Sequence, residues 1–328
     1  MKKHSIIVVG AGSFGTALAL TCHRAHHQVT FLVKDASQAD EITHHHTNKN
    51  YFKNLALPHD IAATTSTAVL KNADAIIVAI PAQLLPESIH ALTPFIPKDI
   101  PVILTSKGII DHDPLPLFPY DSVKNILPNP LSLLSGPNFA IELVDNLPAA
   151  ASLATHNPQL IKLFAHKTFR VYPTTDYTGI EVAGVVKNVL AIGCGIVEER
   201  GLGKNAMAAL MARGLAEMTR LGLALGARLE TFLGPAGVGD LTLTCSSPKS
   251  RNFSLGMKLA KGQSIEEILS EGHPLSEGYY SLSPILKLAK AYDIDMPLCT
   301  AVSDVIDGAP LEHVIEALFN RPTRVHGF

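Results

Sequence analysis

The chain carries almost no excess of either charge: 27 lysines and arginines stand against 29 acidic residues, a formal net charge of -2 at pH 7. Proteins that hold nucleic acid need a basic field that releases counterions from phosphates, so no nucleic-acid partner is expected. Cysteine is scarce too. Cys22, Cys194, Cys245 and Cys299 lie far apart with no CxxC pair, which leaves neither a disulfide framework nor a zinc site and suits a reducing, cytoplasmic setting. Long apolar runs are missing. The nearest approach, residues 182–197, is broken by Lys187 and Asn188, whereas a membrane helix needs about 18 uninterrupted apolar residues, and no membrane span is expected. Met1, Lys2 and Lys3 before the apolar residues 6–9 imitate a secretory signal, but Gly10, Gly12 and Gly15 cut that stretch short, so it reads as a first strand. Of the 15 histidines, His44, His45 and His46 form the densest group. Consecutive imidazoles do not share one face and no HExxH spacing accompanies them, so they read as a polar loop or helix end and no metal is assigned.

What is present is length and apolar content: 328 residues, 47% of them hydrophobic, above the ceiling of roughly 250 residues for a single core. Two domains are therefore expected. In the first half, short β-branched runs at residues 5–10, 29–33, 75–80, 102–105 and 149–154 alternate with helix-like stretches at 13–26, 36–47 and 83–92. That alternation is the mark of βαβ units and a mostly parallel sheet. From about Gly179 the pattern changes to long stretches at helical spacing rich in Ala, Leu and Gly. The expected fold is α/β, an N-terminal Rossmann-like doubly wound sheet over residues 1–179 followed by an all-helical domain over 180–328. With no repeat, low-complexity tract or flexible linker in the sequence, a crevice between the domains is the expected active site.

The first run passes directly into Gly10-Ala11-Gly12-Ser13-Phe14-Gly15 and then into an amphipathic helical stretch, with a second strand from Val29. A lone GxGxxG is weak; strand, glycines, helix and second strand together read as a dinucleotide site. Gly10 permits the turn, Gly12 admits a pyrophosphate to the backbone, and Gly15 allows close helix–strand packing, with helix amides facing the anion. The end of the second strand selects between cofactors, an acid for the ribose hydroxyls of NAD or a cation for the 2′-phosphate of NADP. Lys34 and Asp35 offer both. Lys34 comes first, which favours NADPH and leaves NADH open.

Three segments carry candidate chemistry. Lys107 follows the run at 102–105, at the carboxyl end of an expected parallel strand, where open α/β sheets bind ligands. Lys187 interrupts an otherwise apolar helix whose same-face neighbours Ala183, Gly184, Ala191 and Cys194 are small. A lysine desolvated in such a groove has a lowered pKa and can act as a proton donor near neutrality. A glycine-rich turn from Gly234 to Gly239 delivers Asp240, an acid suited to fixing that lysine, and Ser250-Arg251-Asn252 opens a helix-like stretch, a combination suited to phosphate. The bland readings are a snorkelling lysine, a turn cap and a solvent-facing arginine.

In order along the chain, GAGSFGTALA, TSKGI, SGPNFA, GVVKNVLAIG, RGLAEM, GVGDLTLTC, SRNFSLG and SEGY resemble the bacterial-type NAD(P)-dependent glycerol-3-phosphate dehydrogenases over essentially the whole length. The resemblance implies reversible reduction of dihydroxyacetone phosphate to sn-glycerol 3-phosphate, feeding glycerophospholipid synthesis, with a small phosphorylated substrate as partner. By the same resemblance Lys187 is the proton donor, assisted by Lys107 and Asp240. Substrate contacts fall to Lys107, Gly136, Asn138, Lys187, Asp240, Ser250, Arg251 and Asn252, and cofactor contacts to Ser13, Phe14, Lys34, Lys107, Ala140, Arg251, Leu275 and Glu277 beside the glycines. Asn138 departs from the serine or threonine usual in the family. A related hydroxy-acid dehydrogenase and a non-enzymatic NADP sensor are the competing readings, the first having no need of Arg251 and Asn252 and the second none of Lys187. Apolar stripes in the helical domain make a homodimer the expected assembly.

Overall fold

The computed structural model describes residues 3–271 and 276–322; Leu275, an expected cofactor contact, lies outside them. Two compact units divide the chain, one of Met1–Ser106 with Pro119–Tyr177 and one of Lys107–Phe118 with Thr178–Phe328.

The first unit is built on eight strands, β1 (Ser5–Val9), β2 (Gln28–Leu32), β3 (Ala62–Thr64), β4 (Ala75–Val78), β5 (Val102–Leu104), β6 (Leu131–Ser135), β7 (Ala149–Ala154) and β8 (Phe169–Thr174). They lie in the order β3-β2-β1-β4-β5-β6-β7-β8. Ile6 stands opposite Val29 of β2 and Ala75 of β4, and every pairing is parallel except β6 with β7. Strands are added outward in both directions from β1 and β4, so the order reverses between those two, and the carboxyl ends there form the natural ligand crevice of such a sheet. Parallel strands are covered on both faces and read as continuous apolar runs, and Ile6, Ile7, Val8, Ile76, Ile77, Val102 and Ile103 are all buried. At roughly 1.5–3 kcal/mol for each large apolar side chain withdrawn from water, the centre of this sheet is the stable frame on which its loops are carried. Helices α1 (Ser13–Arg24), α2 (Ala36–Asp40), α3 (Leu85–Leu92), α4 (Pro119–Lys124) and α5 (Ala140–Val144) complete the unit. The helix expected through residue 47 is shorter: α2 gives way to a π-helical turn, Glu41–His45, that ends at His46 with φ 52°. There His44 contacts Asp40 at 2.8 Å on the surface.

The second unit is helical: α6 (Tyr177–Glu199), α7 (Gly203–Ala224), α8 (Leu229–Phe232), α9 (Asp240–Cys245), α10 (Arg251–Ala260), α11 (Ile265–Ser270), α12 (Glu277–Ala291), α13 (Pro297–Ile306) and α14 (Leu311–Phe319). By length and composition α6 would cross a membrane, yet its apolar window is entirely buried inside the protein, which makes it the central core helix. Its neighbours in the core include Met218 and Leu221 of α7, Phe253 and Leu255 of α10 and Ile285 of α12. Glu217 of α7 is buried and accepts the backbone amides of Leu298 (2.7 Å) and Cys299 (3.3 Å), so it caps α13 from a distance. Burial raises its carboxyl to about 7.

The division differs from a boundary after residue 179 in one respect that matters for function. Residues 107–118 leave the sheet unit after β5 and belong to the helical one, because Ile109 and Phe118 are buried in the cluster built around Val182, Val185 and Val186 of α6. Lys107 thus begins a segment of the helical unit rather than a loop of the sheet.

Candidate active site

In the sheet unit, β1 ends at Val9 and the chain turns at Gly10, whose φ of 95° and whose approach to Ala79 O, 2.7 Å from where a Cβ would stand, both require glycine. A Cβ on Gly15 would lie 2.1 Å from Gly10 O, so the start of α1 is pressed onto the turn. Gly12 is different. A Cβ there meets nothing nearer than Tyr51 Cε1 at 4.0 Å, so this glycine preserves open space beside the backbone rather than relieving a contact inside the protein. Gly12 is also the N-cap of α1 and contributes no side-chain cap, so the positive end of the helix faces that open space. Turn, open space and uncapped helix start together fit a dinucleotide pyrophosphate, with Ser13 exposed and Phe14 half-buried at the rim.

A brace under this loop carries no sequence motif. Asn48 is fully buried, and its Nδ2 donates to Ala11 O and to Thr16 Oγ1, each at 2.9 Å; Gln38 Nε2 donates to the same Ala11 carbonyl at 3.0 Å. Past β2, Lys34 is exposed. Asp35 is engaged locally: its Oδ1 accepts from Ser37 N and Ser37 Oγ, both at 2.8 Å, capping α2 and holding its carboxyl below the usual range. Gly136 follows β6, and Asn138 donates to Ala150 O at 3.1 Å while its buried Oδ1 meets no hydrogen-bond partner among the described residues. Ala140 opens α5.

The helical unit gathers charge. Lys187 of α6 is 5% exposed and Asp240, the first residue of α9, is 1% exposed. Lys187 Nζ donates to Thr244 Oγ1 at 2.8 Å and to Asn188 Oδ1 at 3.0 Å, and lies 3.3 Å from Asp240 Oδ1. Lys107 Nζ donates to Asp240 Oδ2 at 2.7 Å. Thr244 Oγ1 in turn donates to Asp240 Oδ1 at 3.1 Å. One carboxylate is thus shared by two ammonium groups, which leaves a net positive charge away from water. Burial, and then the neighbouring Lys107, pull Lys187 down from 10.5 to about 8, against the opposing pull of Asp240. A group so poised can give up a proton near neutral pH, and two cations beside a carbonyl would stabilise the negative charge that develops on its oxygen. The turn before Asp240 folds as a π-helical Pro235–Gly239, with Gly237 departing from helical geometry, which delivers the carboxylate to the lysines from the start of α9.

Lys107, Lys187 and Asp240, each singled out along the sequence, are therefore brought together. Asn188 and Thr244 complete the group without having been singled out. The small residues expected beside Lys187, namely Ala183, Gly184, Ala191 and Cys194, are buried. At α10, the Ser250 hydroxyl caps the helix by accepting Phe253 N at 3.3 Å, Arg251 is exposed, and Asn252 is turned inward and buried. Glu277 opens α12.

Comparison with known proteins places both halves. The sequence model described as NAD-dependent glycerol-3-phosphate dehydrogenase N-terminus matches residues 5–161, and the C-terminus model of the same family matches residues 176–316. The NAD(P)+ glycerol-3-phosphate dehydrogenase of Maricaulis maris is 43% identical over 327 residues, covering 98% of each chain. That of Rhodospirillum rubrum is 41% identical, covering 98% of this chain and 94% of its own. Among solved structures, glycerol-3-phosphate dehydrogenase from Coxiella burnetii superposes with a TM-score of 0.91 at 34% identity, covering 97% of this chain and 99% of that one. A D-mandelate dehydrogenase, with a TM-score of 0.58 at 17% identity, shares the fold alone.

Proposed function

The chain belongs to the NAD-dependent glycerol-3-phosphate dehydrogenase family, and we propose on that premise that it reversibly reduces dihydroxyacetone phosphate to sn-glycerol 3-phosphate. The observation that carries the mechanism is the buried Lys187 ammonium held by Asp240, Thr244 and Asn188. When bound, a nicotinamide cofactor supplies the hydride that C2 of the ketone must gain. The chain's own part is to bind, to polarise and to supply the proton.

Lys187 gives its proton to the C2 oxygen and is left as a neutral amine, while the C2 oxygen becomes a hydroxyl. Between two ammonium groups the Asp240 carboxylate fixes the direction of Lys187 and offsets part of the repulsion from Lys107. Lys107 draws electron density toward the same oxygen. Arg251 and the first-turn amides of α10 that the Ser250 cap does not engage grip the phosphate, and that remote binding energy orients the carbonyl. In the sheet unit the Gly10–Gly15 turn takes the pyrophosphate, and Lys34, exposed while Asp35 is occupied by Ser37, favours the additional phosphate of NADPH. Glycerophospholipid synthesis is the process that such a product would feed. A cytoplasmic location belongs to the same proposal, supported by four cysteines in the reduced state. A homodimer belongs to the same proposal, supported by the exposed Leu223, Leu229 and Leu233 of the helical unit.

The test is absorbance at 340 nm with dihydroxyacetone phosphate and NADPH or NADH in parallel, and unphosphorylated dihydroxyacetone as control. Rapid oxidation that needs the phosphorylated ketone is the expected result. Absence of turnover with both cofactors, despite measurable NADPH binding, would overturn the assignment.

A further inference from the structure

Beneath the glycine turn of the sheet unit, two side-chain amides have every N–H committed. Asn48 Nδ2 donates to Ala11 O and to Thr16 Oγ1, each at 2.9 Å. Gln38 Nε2 donates to the same Ala11 O at 3.0 Å and to Asn48 Oδ1 at 3.1 Å. The Ala11 carbonyl can only accept, so it fixes the polarity of the group: turning the Asn48 amide over would set oxygen against oxygen.

Asn48 is itself anchored from three directions. Its carbonyl accepts Tyr51 N at 3.1 Å and Phe52 N at 2.9 Å, and Phe52 is buried in the apolar core of the sheet unit. The residues on either side of it are tied to one carboxylate, since Glu41 Oε1 accepts Thr47 Oγ1 and Lys49 N, each at 2.8 Å. Asn48 is fully buried and Ala11 nearly so, a setting in which hydrogen bonds are stronger than in water. A peptide unit is planar and trans, so its C=O and N–H point to opposite sides. Holding the Ala11 carbonyl toward Asn48 and Gln38 therefore turns the N–H of Gly12 away from them.

We propose that Asn48, seconded by Gln38, is a positioning residue for the dinucleotide: it sets the Ala11–Gly12 peptide so that the Gly12 N–H is presented to the pyrophosphate before the cofactor arrives. The inference rests on the cofactor binding proposed above. Without the two amides this peptide is free to rotate, and binding must first order it, a cost that preorganisation removes. The asparagine acts through the peptide rather than on the ligand, because both of its N–H groups are spent inside the protein. This sets it apart from Lys34. Pyrophosphate is common to NADH and NADPH, so a lost brace weakens both alike, whereas a lost Lys34 weakens NADPH.

The experiment titrates NADPH and NADH, followed by their fluorescence, into the unaltered enzyme, Asn48→Leu and Gln38→Leu, and measures kcat and KM beside Kd. Asn48→Leu is close in size but has no donors. It should raise Kd for both cofactors by the same factor, about tenfold, the scale of one buried hydrogen bond, with KM following and kcat at saturating cofactor changing far less. Gln38→Leu leaves Ala11 its bond from Asn48 and should raise both Kd values by about two- to threefold. Unchanged affinity in Asn48→Leu overturns the proposal. So does a loss confined to one cofactor, which would place the influence of the asparagine at the ribose end, or a fall in kcat as large as the rise in Kd, which would reduce it to holding the fold. Should Asn48→Leu fail to fold, Gln38→Leu and the Gly12 amide resonance of the unaltered enzyme decide. A shift of that resonance on adding inorganic pyrophosphate, together with the small common loss, is expected; a resonance that stays in place, or no loss in Gln38→Leu, overturns the brace. Titration needs no ketone, so failure of the proposed reaction is separate: it appears as absence of turnover in unaltered enzyme that still binds NADPH.

Discussion

The two units are built for their proposed anions by opposite means. The sheet unit offers main chain: a turn of glycines, an uncapped helix start, and a buried asparagine that braces the loop from below without facing its open side. The helical unit offers side chains: one buried and one part-buried ammonium group around one carboxylate, drawn from residues 107, 187 and 240. Main-chain recognition works by leaving side chains out, and it tolerates no mobile charge. Side-chain recognition spends stability, since ions taken from water cost several kcal/mol each unless well paired, and gains a titratable proton in return. The unit that only holds its ligand uses the first, and the unit proposed to do chemistry uses the second.

The sharpest break in this contrast is Lys187→Ala. Turnover should fall by roughly 10²–10⁴, the usual weight of a general acid, while NADPH affinity, followed by its fluorescence, stays as it was. Survival of turnover would remove Lys187 from the reaction. Next comes Asp240→Asn, which leaves the buried Lys187 and the part-buried Lys107 without their carboxylate. The ionisable groups about Lys187 are Asp240 and Cys245 of α9 and Lys107. With Asp240 neutral, only the influences of burial and Lys107 remain strong, and both favour the amine.

The sign follows directly. Reduction needs the ammonium, so its rate in the unaltered enzyme should fall as pH rises through about 8, and oxidation, which needs the amine, should rise through the same range. In Asp240→Asn both limbs should move to lower pH, and a pH–rate profile that stays in place would show that the carboxylate does not govern the proton. A third, smaller effect belongs to the sheet unit. Gly12→Val adds its side chain to open space, so the melting temperature should hold while NADPH binds about tenfold more weakly, some 1.4 kcal/mol. Lost stability with intact binding would instead make the space structural. Smallest is Lys34→Ala, where an exposed charge contributes about 1 kcal/mol or less. KM for NADPH should rise roughly two- to fivefold with KM for NADH unaffected, and an equal rise for both would deny Lys34 a part in discrimination.

The same contrast explains what could be read along the sequence. The central strands β1, β4 and β5 are apolar runs bounded by punctuation, and they were legible. β3 is three residues long and half-buried, while β8 is an edge strand that carries Arg170 and Pro173 with half of its residues exposed or nearly so; their weak patterns follow from having one covered side at most. β6 is fully buried, but the prolines at 128 and 130 mask its start. The glycine turn was legible because its geometry is written in consecutive residues. Lys187 showed itself as a charge inside an apolar helix, but Asn188 beside it, Thr244 and Asn48 show nothing until the chain is folded, since amides and hydroxyls are common and much of their meaning lies in partners up to 81 residues away. Residues 107–118 were assigned to the sheet domain by proximity in sequence, whereas Ile109 and Phe118 follow the larger apolar cluster.

That twelve-residue excursion bears on how the protein can be made or divided. During synthesis Ile109 and Phe118 emerge some 60 residues before the first residues of α6, so the ribosome delivers one piece of the helical core well ahead of its seat. A gene cut at the point where the chain enters the helices would encode a fragment 178–328 that lacks both apolar plugs and one of the two counter-cations of Asp240. Supplying the peptide 107–118 in trans is the complementation that such a fragment would need, and a circular permutant opened within that segment would sever the lysine from its anchors.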